Sequence, residues 1–206
     1  MSKRRLTNRE QLRKMLKEVE ADSVLHQELL SVQAAIEQPK DRAVQVLIKL
    51  LKPLTTQAAK HFIAKALGST KDFRAIRPLI KAAAAPENEK YRSGYLWPLE
   101  LNNYDCTQYL PQIVNLLLSR VGFDEVTWVC IELVRKMKGP FEPVLARKCI
   151  RKLLAEIKQP LTPEELISTH ANRLEAADKI MYGYFNQTAK TYWKEWNKGK
   201  RDAIEE

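Results

Sequence analysis

Trp128, Glu132 and Arg135 stand four and three residues apart in "DEVTWVCIELVRK", a spacing that puts them on one side of a helix. An aromatic ring can hold a flat base, and a carboxylate beside it can stabilise a cation that develops during reaction. A guanidinium at the same side can meet a phosphate or neutralise the carboxylate. The plainer reading, and the favoured one, is a salt-bridged helix surface with a half-buried tryptophan. The opposite side carries Val126, Val129, Cys130, Leu133 and Val134 and is expected in the core.

Other chemistry-bearing residues are dispersed. His26, His61 and His170 fall far apart, and none belongs to an HExxH pattern or stands at ligand spacing from a cysteine. Cys106, Cys130 and Cys149 are odd in number and widely spaced, which predicts reduced, buried thiols in a reducing compartment. There is no glycine-rich phosphate loop, GxSxG or DxDxDG. The sequence therefore predicts a non-enzyme with no catalytic residue, metal site or cofactor.

The net charge of +10 is uneven. Residues 1–40 carry 8 basic and 6 acidic groups, residues 41–160 carry 20 and 11, and residues 161–206 carry 7 and 8. A basic excess in the middle attracts polyanions or acidic protein surfaces. The opening "MSKRRLTNREQLRKML" is basic but reaches no apolar core, and no apolar run approaches the ~20 residues needed to cross a bilayer. A cytoplasmic chain with no membrane partner is expected.

Leu, Ala, Lys, Glu and Arg dominate and glycines number six, so the elements that position these residues should be helices. Thr7 and Glu10 form a capping-box pattern ahead of Leu12, Met15, Leu16 and Val19. That helix is strongly charged (Lys3, Arg4, Arg5, Arg9, Arg13), as a nucleic-acid arm or a polar outer cap would be. Asp22 or Ser23 can cap a second helix through Leu25, Leu29, Leu30, Ala34 and Ile36. "AVQVLIKLL", "FRAIRPLIK" and "QYLPQIVNLLL" align on Leu47-Ile48, Leu79-Ile80 and Ile113-Val114, with steps of 32 and 34. Independently, "HFIAKALG", "SGYLWPLE" and "TWVCIELV" align on Leu67, Leu99 and Leu133 with the same two steps. A two-helix unit with a period in the thirties is the signature of an α-solenoid. Asp41, Asp72 and Asp105 precede the first helices as caps. Pro98 inside a second helix predicts a kink or an early break.

"AAKHFIAKALGSTKDFRAIRPLIKAAAAPENEKYR" resembles a HEAT-like repeat, with Ala-Leu-Gly closing one helix and Ile-x-Pro-Leu-Ile in the next. The resemblance covers about residues 40–155, with a degenerate fourth unit at "EPVLARKCIRKLLAEI". It implies a right-handed superhelix: capping helices over 1–40, three to four repeats over 41–158, and an aromatic-rich capping helix with a charged tail over 159–206. It implies that the second helices line a concave surface, offering Lys60, Lys65, Arg92, Trp97, Trp128 and Arg135. An arginine at the position of Arg92 would pair with a loop aspartate, Asp72 or Asp105. Trp128 and Glu132 resemble the arrangement in HEAT-like alkylpurine DNA glycosylases, which would need a deep pocket; short repeats of this kind also occur in bilin lyases. The implied function is a scaffold for a macromolecule, a protein first and nucleic acid as the alternative.

"LTPEEL" opens the last helix, with Thr162 as N-cap and Glu165 as its capping-box partner. Leu166, Leu174, Ala177, Met181, Phe185 and Tyr192 keep helical spacing, and Gly183 can divide the helix. Tyr184, Tyr192, Trp193 and Trp196 either close the last repeat or anchor a partner or a second copy.

Overall fold

The computed structural model describes residues 7–205 other than 22 and 53, with side chains as far as residue 191 other than that of 189. Among them are ten α-helices and no strand, so the chain is all-α. It divides into two compact units, Met1–Tyr104 and Asp105–Glu206.

The first unit contains α1 (Asn8–Glu18), α2 (Val24–Ile36), α3 (Lys40–Leu50), α4 (Gln57–Ser69), α5 (Ile76–Ala84) and α6 (Arg92–Leu101). Both halves of the Thr7–Glu10 capping box form. Lys3, Arg4 and Arg5 lie outside the described residues, as does Asp22. Ser23 caps α2 by accepting the His26 N–H at 3.1 Å. The inward face of α2 is Leu29, Val32 and Ala35, while Leu30 and Ala34 are exposed. Contacts with α1, α3 and α4 set that arc, which is rotated from the one the apolar pattern predicts.

Helix α4 is the centre of this unit, touching α1, α2, α3 and α6. It buries Ala59, Phe62, Ile63, Ala64, Ala66, Leu67 and Gly68. Its own N-cap, Thr56, makes no side-chain cap bond. Glu28 of α2 supplies one instead: its carboxylate accepts the N–H groups of Thr55 at 2.6 Å and Thr56 at 3.0 Å, and both hydroxyls. A negative group at a helix N-terminus satisfies free donors and complements the helix dipole.

Ala66-Leu67-Gly68 lies in the closing turn of α4, as expected, one residue before the helix ends at Ser69. A Cβ on Gly68 would lie 2.4 Å from Pro98 Cβ and 2.9 Å from the Pro98 carbonyl oxygen, so the glycine lets α4 and α6 approach. Pro98 in turn does not break α6, which continues to Leu101. The proline is buried at that contact, and Asn102 Nδ2 donates to its carbonyl at 2.8 Å.

The second unit contains α7 (Leu110–Leu118), α8 (Glu125–Arg135), α9 (Pro143–Leu153) and α10 (Pro163–Glu205). α7 packs on α8 and α9, and α10 packs on the same two helices. Asp124 caps α8, accepting the Thr127 N–H at 2.7 Å and a guanidinium N–H of Arg120 at 2.6 Å. Thr162 and Glu165 form the expected box at the start of α10. Gly183 does not divide that helix, which runs unbroken for 43 residues. A Cβ on Gly183 would sit 2.7 Å from the Phe141 ring, so its role is to seat that ring.

The helix pairs fall where both alignments put them: α3 with α4, α5 with α6, α7 with α8. Leu67, Leu99 and Leu133 are all 0% exposed. Lys71 and Asn103, 32 residues apart, both take left-handed backbone after their second helices (φ 53° and 55°). Gly139 does the same after α8 (φ 75°).

Candidate binding surfaces

In the first unit Lys60, Lys65, Arg92 and Trp97 are all half-buried. Lys65 Nζ donates to Gln11 Oε1 of α1 at 3.3 Å, so this cation helps to dock the N-terminal helix. Arg74, which the sequence did not single out, bridges two of the loop aspartates. Its guanidinium binds Asp72 at 2.6 Å and Asp41, 33 residues upstream, at 3.1 Å. Asp72 also accepts the Arg74 backbone N–H at 2.9 Å, and the Arg74 side chain holds its carboxyl below the usual carboxylate range against the opposing effect of burial. Asp105 caps similarly, accepting the Thr107 N–H at 3.0 Å. Asp41 differs: it lies inside the first turn of α3, whose N-cap is Pro39. A hollow of about 530 Å³ opens between α1, α3 and α4, with Arg9 and Lys40 on its wall.

In the second unit Trp128 is half-buried and Arg135 exposed. Arg135 is committed twice, to Glu132 on its own helix and to Glu175 of α10. The Glu175 hydrogen bond leads in raising the guanidinium pKa, with the charges of both carboxylates in support. Glu132 thus serves an ion pair. The hollow beside Arg135 runs along α10, not towards Trp128. It measures about 520 Å³ and is lined by Lys138, Lys179, Tyr182 and Lys190 as well. None of the described hollows is lined by both Trp128 and Glu132.

Arg147, Lys148, Arg151 and Lys152 do not go round α9. The helix buries Ala146, Cys149 and Leu153 on one side, and all four cations are exposed on the other. Lys152 Nζ donates to Asn115 Oδ1 at 2.9 Å.

Helix α10 buries Thr169, Asn172, Ala176, Ala177 and Ile180. Two polar members of this face read the loop before α8: Thr169 Oγ1 accepts the Gly122 N–H at 2.8 Å, and Asn172 donates to the Gly122 carbonyl at 3.0 Å. Gln187 Oε1 accepts the Phe141 N–H at 2.6 Å. Of the residues that keep helical spacing in the sequence, Ala177 is buried while Leu166, Leu174 and Phe185 are exposed. Tyr184 is half-buried, with its ring edge-on to Phe185 at 6.3 Å. The side chains of Tyr192, Trp193 and Trp196 lie outside the described residues. Sequence reading missed Glu28, Arg74 and Ile167. Glu28 acts 27 residues away, beyond any local motif, whereas the row containing Ile167 was legible as a helical spacing.

All three cysteines are buried and free. Among the described residues no group of three potential metal ligands converges, and no helix is long and apolar enough to cross a membrane. No family model matches the chain, and neither a curated protein nor a solved structure shows significant similarity to it.

Proposed function

We propose that this protein is a non-enzymatic HEAT-like scaffold, a right-handed array of helix pairs that binds another protein. The recurring pairs, with Leu67, Leu99 and Leu133 buried at steps of 32 and 34, support the repeat reading. The observation that carries a protein partner is the set of large apolar side chains left outside. Phe73 is 74% exposed, Leu101 66% and Phe123 63%. Exposed aromatics and leucines beside cations suit a protein interface, whose anchors are aromatic and arginine. Several cations that a polyanion would use are already held internally: Lys65 by Gln11, Arg74 by Asp72 and Asp41, Arg120 by Asp124, Arg135 by Glu132 and Glu175. The candidate contacts lie on the second helices, at Lys60, Lys65, Arg92, Trp97, Trp128 and Arg135.

Fluorescence anisotropy with labelled single- and double-stranded oligonucleotides tests this reading. Weak binding that disappears between low and near-physiological salt is expected. Sub-micromolar binding that persists, with a slope of several released counterions, makes this a nucleic-acid-binding protein instead. In that case Lys60→Ser, Lys65→Ser and Arg92→Ser together abolish it.

A further inference from the structure

Helix α1 is held to the first unit by a single anchor. Of Asn8–Glu18 only Leu12 is buried, whereas α2 buries Leu29, Val32 and Ala35, and α4 buries seven residues. Asn8, Met15 and Val19 keep the same helical row as Leu12 and are half-buried, while Arg9, Glu10, Arg13, Lys14, Lys17 and Glu18 face water. The hydrogen bonds across the contact lie at its rim. Asn8 Nδ2 donates to Ser69 Oγ of α4 at 2.7 Å, and Arg9 donates to the Ile36 carbonyl at the end of α2 at 3.2 Å. Both are exposed to water, which replaces such bonds at little cost. Lys65 Nζ, half-buried, donates to Gln11 Oε1.

The surface beneath is better made than its cover. The hollow of about 530 Å³ has Thr7, Asn8 and Arg9 of the α1 turn on one side, and Ala43, Leu47 and Ala66 of α3 and α4 on the other. Those three apolar residues are fixed in the core of the unit by their own helices. α2 and α4 therefore offer a seat for one leucine, flanked by polar partners at Ser69, Lys65 and the Ile36 carbonyl. That is the way a groove takes an amphipathic helix. A helix held by one buried side chain opens far more often than the helices it rests on. We infer that α1 is the resident occupant of a helix-binding groove on α2 and α4, and that it gives way to a partner's helix carrying the same row: a polar residue, a leucine one turn on, and aliphatic residues over the next two turns. The exchange releases Lys65 from Gln11. This groove is a second surface beside the contacts proposed on the second helices, Lys65 being the residue common to both.

Native-state hydrogen exchange of the full chain tests the opening. The amides of residues 12–19 should exchange together, at least about a hundredfold faster than those of residues 63–67. Leu12→Ala should speed the first set at least about tenfold further and leave the second unchanged. A fluorescein-labelled peptide of residues 7–20 tests the groove. It should bind the full chain carrying Leu12→Glu, whose own α1 no longer fits, and bind the wild type at least about tenfold more weakly because the seat is taken. The full chain carrying Leu12→Ala should fall between them, which separates loss of the seat's occupant from damage to the fold. The same peptide with Leu12→Glu should bind none of the three. Amides of α1 as slow as those of α4, or a Leu12→Ala chain that speeds both sets alike, makes α1 part of the core and overturns the proposal. A peptide that binds neither Leu12 variant, with the circular dichroism of both retained, overturns the groove. Neither readout uses the scaffold's partner, so failure here leaves that reading standing.

Discussion

Helix α4 buries Phe62, Ile63 and Leu67 among four neighbouring helices, whereas α10 buries Thr169, Asn172, two alanines and a single large aliphatic, Ile180, and turns Ile167, Leu174, Tyr182 and Phe185 outward. Both helices are amphipathic in sequence. The difference lies in what surrounds them. α4 has a helix for each part of its apolar surface, and α10 packs mainly on α8 and α9, with hydrogen bonds to Gly122 and Phe141 in the loops before them. Helical spacing says where apolar residues gather. It does not say whether the same chain supplies the cover.

Substitutions at matched positions of the two helices should expose this contrast. Leu67→Ala should lower unfolding stability by about 2–5 kcal/mol, because the fully buried site leaves a cavity. Urea denaturation followed by circular dichroism measures it. Glu28→Ala should cost about 1–3 kcal/mol, since the Thr55 and Thr56 donors at the start of α4 lose their acceptor. Burial pushes the Glu28 carboxyl pKa upward, but the four hydrogen bonds from Thr55 and Thr56 outweigh it and hold the group below its ordinary value. A lowered folded pKa means stability that is complete above the ordinary carboxylate range and lost as pH falls through the folded value. Glu28→Gln should therefore flatten the acid limb of the stability–pH curve; an unchanged limb rejects the assignment. Gly68→Ala should cost about 1–3 kcal/mol despite the better helix propensity of alanine, because the new methyl collides with Pro98. Removing the Asp124 cap by Asp124→Ala should cost about 1 kcal/mol. Leu174→Ala should change monomer stability by less than about 0.5 kcal/mol, as surface sites do.

The helix pairs, the capping boxes of the first and last helices and the aligned core leucines were legible in the sequence because each depends on residues within one turn or one period. Thr7–Glu10 and Thr162–Glu165 close within three residues, and the leucines recur at steps of 32 and 34. Gly68 and Gly183 were read as punctuation because a lone glycine in a helix has two explanations, a terminator or a close approach. Only the partner, Pro98 or Phe141, decides between them. The candidate surface was less legible. Lys65 and Arg135 were read as lining an open face, but α1 and α10 supply them with Gln11 and Glu175 from 54 and 40 residues away. The Trp128–Glu132 spacing was a true helix-face pair, and the arginine beside it settled what the carboxylate does.

The three cysteines all belong to the second unit, at 0–2% exposure, and the first unit has none. Burial, reinforced by the charge of Asp105, pushes the Cys106 thiol up to about 12. The native protein should therefore resist maleimides and disulfide reagents until the second unit opens. Trp97 is the sole tryptophan of residues 1–104. Thiol labelling then clocks the breathing of one half of the molecule. Tryptophan emission, once Trp128, Trp193 and Trp196 are replaced by phenylalanine, reports the other through Trp97, so each half can be followed by its own residue type.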